Sequence, residues 1–287
     1  MPCEKTGREP REAALSPSGD GITIRHCSGA DEFTECVALQ KEVWNFSDAD
    51  LVPLRMFVVA DKIGGQVIGA FDGELLAGFA LSIPGSRWGH PYLHSHMLGV
   101  KNNYRDRGLG RRLKLAQRQD AMARGFELME WTFDPLEIKN AYLNIEKLGA
   151  IARRYTINQY GPSSSPLQGG LPTDRLVAEW WLVSQRVCKL LDGQDSKVSR
   201  IPREFAAEKR ITVPAAITEW KAAEAGRARA HNVHSRNRAE FLEAFSADLA
   251  VLGFERDEEG NGTYLLGHWD EKLSYMDPGE GPGGRSL

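Results

Sequence analysis

The chain has 287 residues, of which 41% are hydrophobic and 26% charged, with a formal net charge of −3. That length accommodates one large domain with an appendage around a sizeable core. The near-balanced charge gives no reason to expect a nucleic-acid partner, and the absence of a long apolar run argues against a membrane span.

Residues 1–20, rich in Pro, Ser, Gly and charge, are expected to be a disordered lead-in. Folding is predicted to start with a strand at Gly21–Arg25, followed by a helix that starts at Ser28 and Asp31, after which Phe33, Val37 and Val43 or Trp44 recur at helical spacing. A second helix is predicted over Leu51–Lys62. Two apolar runs, Gln66–Phe71 and Leu75–Ile83, flank Asp72-Gly73 and predict a β-hairpin, because that dipeptide tolerates the positive φ of a tight turn. Pro84–Pro91 reads as a loop and Tyr92–Val100 as a third strand. A helix over Arg111–Arg124 with Gly125 as its cap, a strand over Glu127–Phe133 and a helix over Ile138–Leu148 capped by Gly149 come next. Arg153–Gln159 and Val177–Val183 are predicted as closing strands around a Ser-, Pro- and Gly-rich loop at Gly161–Thr173.

The order β-α-α-β-β-β-α-β-α-β-β predicts an α/β (α+β) fold over residues 21–190, a mixed central sheet with helices on both faces. Leu191–Pro202 reads as a linker to a C-terminal α/β extension over 198–275. In it, Pro214–Gly253 reads as helical, and Phe254–Glu258 with Thr263–Trp269 as a hairpin; 276–287 reads as a flexible tail. The cysteines Cys3, Cys27, Cys36 and Cys188 form no CxxC pair, which fits a reducing compartment. With no apolar leader at the start, a cytoplasmic location is expected.

The strongest local signal is Leu98-Gly99-Val100, a short loop, and then Arg105-Asp106-Arg107-Gly108-Leu109-Gly110-Arg111-Arg112. A strand ends, two glycines let backbone N–H groups converge, and a helix N-terminus supplies partial positive charge. Four arginines strengthen the potential, so the segment reads as a pyrophosphate site; the bland alternative is a glycine turn opening a basic surface helix. No Gly-Lys-Ser/Thr follows, which excludes a P-loop, and Leu113 stands where a dinucleotide fingerprint needs its third glycine.

At Arg105, Gly108 and Gly110 the sequence resembles the GNAT (Gcn5-related N-acetyltransferase) superfamily, whose coenzyme A signature is Arg/Gln-x-x-Gly-x-Gly/Ala. The resemblance covers about residues 22–185 and extends to the order of elements. It implies acetyl-CoA as cofactor, with the pyrophosphate on the amides of Arg105–Gly110. It also implies splayed central strands near Leu98–Val100 and Trp131–Phe133, with the pantetheine arm pairing between them. A backbone N–H near Leu98 or Gly99 is the implied oxyanion donor, and Asn140 and Asn144, spaced i and i+4, could reach the cofactor arm.

His94 and His96 stand two apart on a predicted strand and so share a face, suited to taking a proton from an amine. Their spacing is similar to that of the arylalkylamine N-acetyltransferases; the competing reading is two structural histidines. A metal site with His90 is disfavoured, since no cysteine or carboxylate stands at suitable spacing. The family's usual acid is a tyrosine directly before Glu-Lys-Leu-Gly, where this chain has Ile145; Tyr142, three residues earlier, is the candidate replacement. Trp44, Phe46, Phe57 and Trp88 either wall an acceptor pocket or serve as core. His231, His234, Arg227, Arg229, Arg236 and Arg238 make a basic stretch whose default is a solvated face.

These residues predict an N-acetyltransferase acting on a small-molecule amine by direct attack. The alternatives are a non-catalytic acyl-CoA-binding or regulatory protein and, ranked lower, a protein or peptide acetyltransferase. The extension is expected to complete the sheet, cap the acceptor site or pair two copies as a homodimer.

Overall fold

The computed structural model describes residues 20–163, 165, 168–191 and 206–269. The predicted lead-in, the linker and the tail fall outside these residues, apart from Asp20 and Leu191.

The first strand, β1 (Ile22–His26), is followed by α1 (Gly29–Trp44) and α2 (Leu54–Lys62). Helix α1 starts at Ser28, whose N–H donates to Glu32 Oε2 at 2.7 Å, and stops at Asn45, which takes the left-handed conformation. Strands β2 (Gln66–Asp72), β3 (Leu75–Arg87) and β4 (His90–Val100) form an antiparallel meander. The β2–β3 turn has positive φ at Gly73 alone, while the β3–β4 turn has it at both Trp88 and Gly89. Pro84–Pro91 is therefore not a loop. Despite its Pro and Gly, it is the end of a hairpin paired out to Arg87 and His90, and only Trp88 and Gly89 turn.

Helix α3 (Leu109–Ala123) leads into β5 (Leu128–Phe133), then α4 (Ile138–Ala141), which continues as a π-helical turn over Tyr142–Lys147. Strands β6 (Ile151–Thr156) and β7 (Arg175–Trp181) and helix α5 (Gln185–Leu191) complete this half. The extension consists of β8 (Lys209–Val213), α6 (Ile217–Ala222), α7 (Arg227–Ser246), β9 (Leu249–Arg256) and β10 (Gly262–His268). One expectation fails here: Leu249–Gly253 extends a strand rather than a helix. Lys209–Val213 is a further strand for which the sequence offered no expectation.

One mixed ten-stranded sheet results, in the order β1-β2-β3-β4-β5-β7-β6-β9-β10-β8. The β4–β5 contact is parallel and the others are antiparallel. The extension thus completes the sheet, joined through Ala152 opposite Val251. Helices cover both faces. Phe33, Cys36 and Leu39 of α1 and Phe57 of α2 pack with Phe79 and Leu81, while Leu109, Leu113 and Ala116 of α3 pack with Ile24, Ile68 and Ala80. A larger core unites Trp131, Ile145 and Trp180 with Phe241, Phe254 and Tyr264 of the extension. Buried ions tie the halves together. Asp174 receives both Arg238 nitrogens at 2.6 and 2.9 Å, and Lys221 Nζ meets Asp134 and Glu137 at 3.0 and 2.9 Å. His234 is buried, with Nε2 at 3.3 Å from Asp174, so the basic stretch is in part an internal contact rather than a solvated face.

Candidate active site

Strands β4 and β5 pair at only two positions, Leu93 with Met129 and His94 with Glu130. Beyond that point β4 runs on to Val100 and β5 to Phe133 without pairing, so the two arms diverge. A β-bulge starts the divergence: β3 advances from Leu81 to Ser82 while β4 advances from Met97 to Ser95, leaving His96 as the extra residue. Among the described residues, no strand pairs with the outer backbone edge of Ser95–Val100, the condition for adding an extended ligand as a strand.

At the open end of this cleft lies the turn into α3. Asp106 and Gly108 both have positive φ, 59° and 75°, and Gly108 is the residue from which the helix starts. Helix geometry leaves the first N–H groups of α3 without intrahelical partners. A Cβ at Gly108 would meet nothing within 4 Å, so glycine is needed there for its φ and not for space. At Gly99 the reason is the opposite: a Cβ would lie 3.0 Å from the Trp44 ring. Arg105, Asp106 and Arg107 are exposed, Leu109 is buried in the core, and Gly110 and Arg111 are half-buried. Arg105 Nε donates to the Val100 carbonyl at 3.3 Å, and Arg107 lies over the Tyr104 ring. Arg112 is turned away, donating to Asp20 at 2.8 Å and to the Ile22 carbonyl at 2.9 Å, so only three of the four arginines border the loop. The donors and the positive charge fit a pyrophosphate.

His94 and His96 lie side by side at the vertex, ring centroids 6.1 Å apart. His94 is half-buried; burial first, then the His96 ring and the basic groups around it, Arg87 and Arg154 among them, push its pKa down to about 4. His96 is open to solvent, yet enough of its ring is enclosed to lower its pKa as well. Both rings are therefore neutral near pH 7, the form that accepts a proton. Beside His94, Glu130 is held by Arg87 at 2.5 and 2.7 Å and by Arg154 at 2.5 Å.

Tyr142 lines a pocket of about 390 Å³ with Glu146, Phe254 and Arg256, and Lys147 lies over its ring. It faces β9 of the extension. Ile145 is fully buried in the large core. Asn140 is exposed while Asn144 is buried, so the two do not share an open face. Trp44 stacks on Phe46 at 5.6 Å and meets Phe79 edge-on, Phe57 is fully buried core, and Trp88 is 55% exposed at the hairpin tip. Among the described residues, no group of three or more His, Cys, Asp or Glu is placed to hold a metal. No helix among them is long and apolar enough to cross a membrane.

Sequence reasoning missed Lys114 and Ser95, which meet on the α3 side of the cleft, and the Arg87–Glu130–Arg154 group. Their signal is purely spatial, since the partners lie on different strands and helices.

A parallel strand pair forced open beside a glycine-turned helix N-terminus is an α/β arrangement that fits an extended ligand ending in a pyrophosphate. Residues 30–143 match the profile of the acetyltransferase (GNAT) family. Among solved structures it is similar to the ribosomal-protein-S18-alanine N-acetyltransferase of Escherichia coli, at 14% identity, covering 55% of this chain and 92% of that one with a TM-score of 0.45. It is also similar to a GNAT family acetyltransferase from Elizabethkingia anophelis with acetyl-CoA bound (14% identity, 56% and 99%, TM-score 0.44). A third likeness is to Ard1 from Thermoplasma volcanium (13% identity, 55% and 96%, TM-score 0.44). No curated protein matches the chain in sequence.

Proposed function

We propose that this chain is an N-acetyltransferase that moves an acetyl group from acetyl-CoA directly to the amine of a small molecule in the cytoplasm. The observation that carries this reading is the abrupt end of β4–β5 pairing at His94, directly before the bulge, on the strand that leads into the α3 turn. The amides and arginines of Arg105–Arg111 hold the pyrophosphate, and the free edge of Leu98–Val100 takes the pantetheine arm. The same backbone steadies the oxyanion, and when bound the cofactor supplies the activated acyl group. His94 and His96, neutral and adjacent, accept the proton of the attacking amine.

Calorimetric titration with acetyl-CoA, followed by a panel of amines monitored for free thiol, tests the proposal. Binding with thiol release on an amine supports it; absence of binding removes it. A second reading, a non-catalytic acyl-CoA binder, is favoured by one observation: Ile145, at the family's tyrosine position, is buried apolar core and offers no acid. Binding without release on any amine would support that reading instead.

A further inference from the structure

Among the described residues two lysines are almost wholly buried, and they are not alike. Lys221 has two carboxylates within 3.0 Å, which offset the cost of burying its charge and raise its pKa. Lys114 on α3 is equally enclosed, at 4% exposure, and no carboxylate pairs with it among the described residues. Its Nζ donates to Ser95 Oγ at 2.8 Å and sits 3.5 Å from the centroid of the Trp131 ring. Ser95 and Trp131 are the first residues of their strands beyond the last β4–β5 pair, His94 with Glu130. The Lys114 amine therefore bridges the two arms of the cleft at the vertex. Six residues along α3 from Gly108 correspond to about 9 Å, within the reach of an extended pantetheine arm anchored at the turn.

We propose that Lys114 is itself an acyl acceptor, so that the chain acylates its own Nζ when it holds an acyl-CoA thioester without an amine substrate. The inference rests on the reading of the cleft as the acyl-CoA site. In the step, Lys114 Nζ forms a bond to the acyl carbon and the carbon–sulfur bond breaks. The proton lost from Nζ passes to the departing thiolate, giving an amide on Lys114 and free coenzyme A thiol. Burial without a counter-charge pushes the amine well below the ordinary lysine range, which favours the neutral, nucleophilic form at the vertex where Ser95 and Trp131 hold it. Ser95 Oγ, which in turn donates to Gln117 Oε1 at 3.0 Å, keeps the amine fixed at the vertex.

The test uses the full chain with acetyl-CoA and no amine. Calorimetry establishes binding, and intact mass followed by peptide mapping establishes modification. The expected result is a gain of one acetyl group at Lys114, at a rate that rises less steeply with pH than the roughly tenfold per pH unit of an ordinary lysine. The Lys114→Met variant, with its acetyl-CoA binding checked in the same way, is expected to lose the mapped modification. Binding without any gain in mass overturns the self-acylation and leaves the transferase reading standing. Modification spread over exposed lysines with the tenfold pH dependence also overturns it. Failure to bind acetyl-CoA overturns both readings.

Discussion

Gly108 separates two contributions that most cofactor-loop mutations confuse. Its φ of 75° is one that other residues adopt at a cost of about 1–2 kcal/mol, and a Cβ there would touch nothing within 4 Å. Gly108→Ala should therefore lower stability by about 1–2 kcal/mol and, with its N–H kept, leave acetyl-CoA affinity nearly unchanged. Gly108→Pro removes the N–H and fixes φ near about −65°, so the chain must leave the turn. A hydrogen bond to a charged group contributes about 1.5–3 kcal/mol, which corresponds to an affinity loss of roughly 10- to 150-fold, more once the neighbouring amides turn away. Denaturant titration gives the stability of each variant and calorimetry gives the affinity. If the proline variant bound acetyl-CoA as tightly as the alanine variant, the Gly108 N–H would have no part in the phosphate site and the loop assignment would be refuted.

Three further outcomes follow from the site and its supports. Replacing both His94 and His96 by Ala is expected to lower turnover by about 10²–10⁴ while the heat of acetyl-CoA binding stays the same. Because the His94 pKa is lowered to about 4, the proton-accepting form persists well into acid; turnover should be level from neutrality to about pH 5 and fall below it. An inflection near about 6.5 would show that the base is an unperturbed histidine. Asp174→Ala should cost about 3–5 kcal/mol in a urea titration, since Arg238, Tyr155 and the Asn158 N–H all lose their acceptor. Burial alone would raise the Asp174 pKa, but Arg238 and the other donors hold it below the usual carboxylate range. Its contribution is therefore complete above the unfolded value of about 3.9 and disappears as pH falls through the lower folded value, so wild type and variant should converge in strong acid.

The elements whose hydrophobic period and punctuation agree were legible in the sequence. The hairpin at Asp72-Gly73, the α3 helix with Gly125 at its end and the β5–α4 succession all lie within a few residues of their expected places. The β3–β4 hairpin was hidden because Pro84, Gly85 and Pro91 suggest a loop, whereas only backbone pairing reveals that Arg87 faces His90. Leu249–Gly253 is an apolar run without a decisive period, and strand or helix is then decided by what it packs against. The bulge at His96 and the π-helical turn at Tyr142–Lys147 are register changes, and each moves side chains without altering composition. Lys114 reads as an ordinary polar position on an amphipathic helix. Its burial becomes visible only when Ser95 and Trp131, far apart in the chain, close over it.

The three added strands also change what the molecule presents to its neighbours in solution. A sheet ending at β6 would leave Ile151–Thr156 as an open margin of unpaired N–H and C=O groups, a template for another chain's strand. With β9 bridged to β6 at Ala152 and Val251, that end of the sheet moves outward to β8, five residues long and carrying Lys209 and Arg210, while β1, also five residues and carrying Arg25 and His26, ends the other side. Short margins bearing charge are poor templates for strand-on-strand accretion. The extension thus puts a short charged strand at that end of the sheet, a less inviting edge for another chain, whether or not the cleft is occupied.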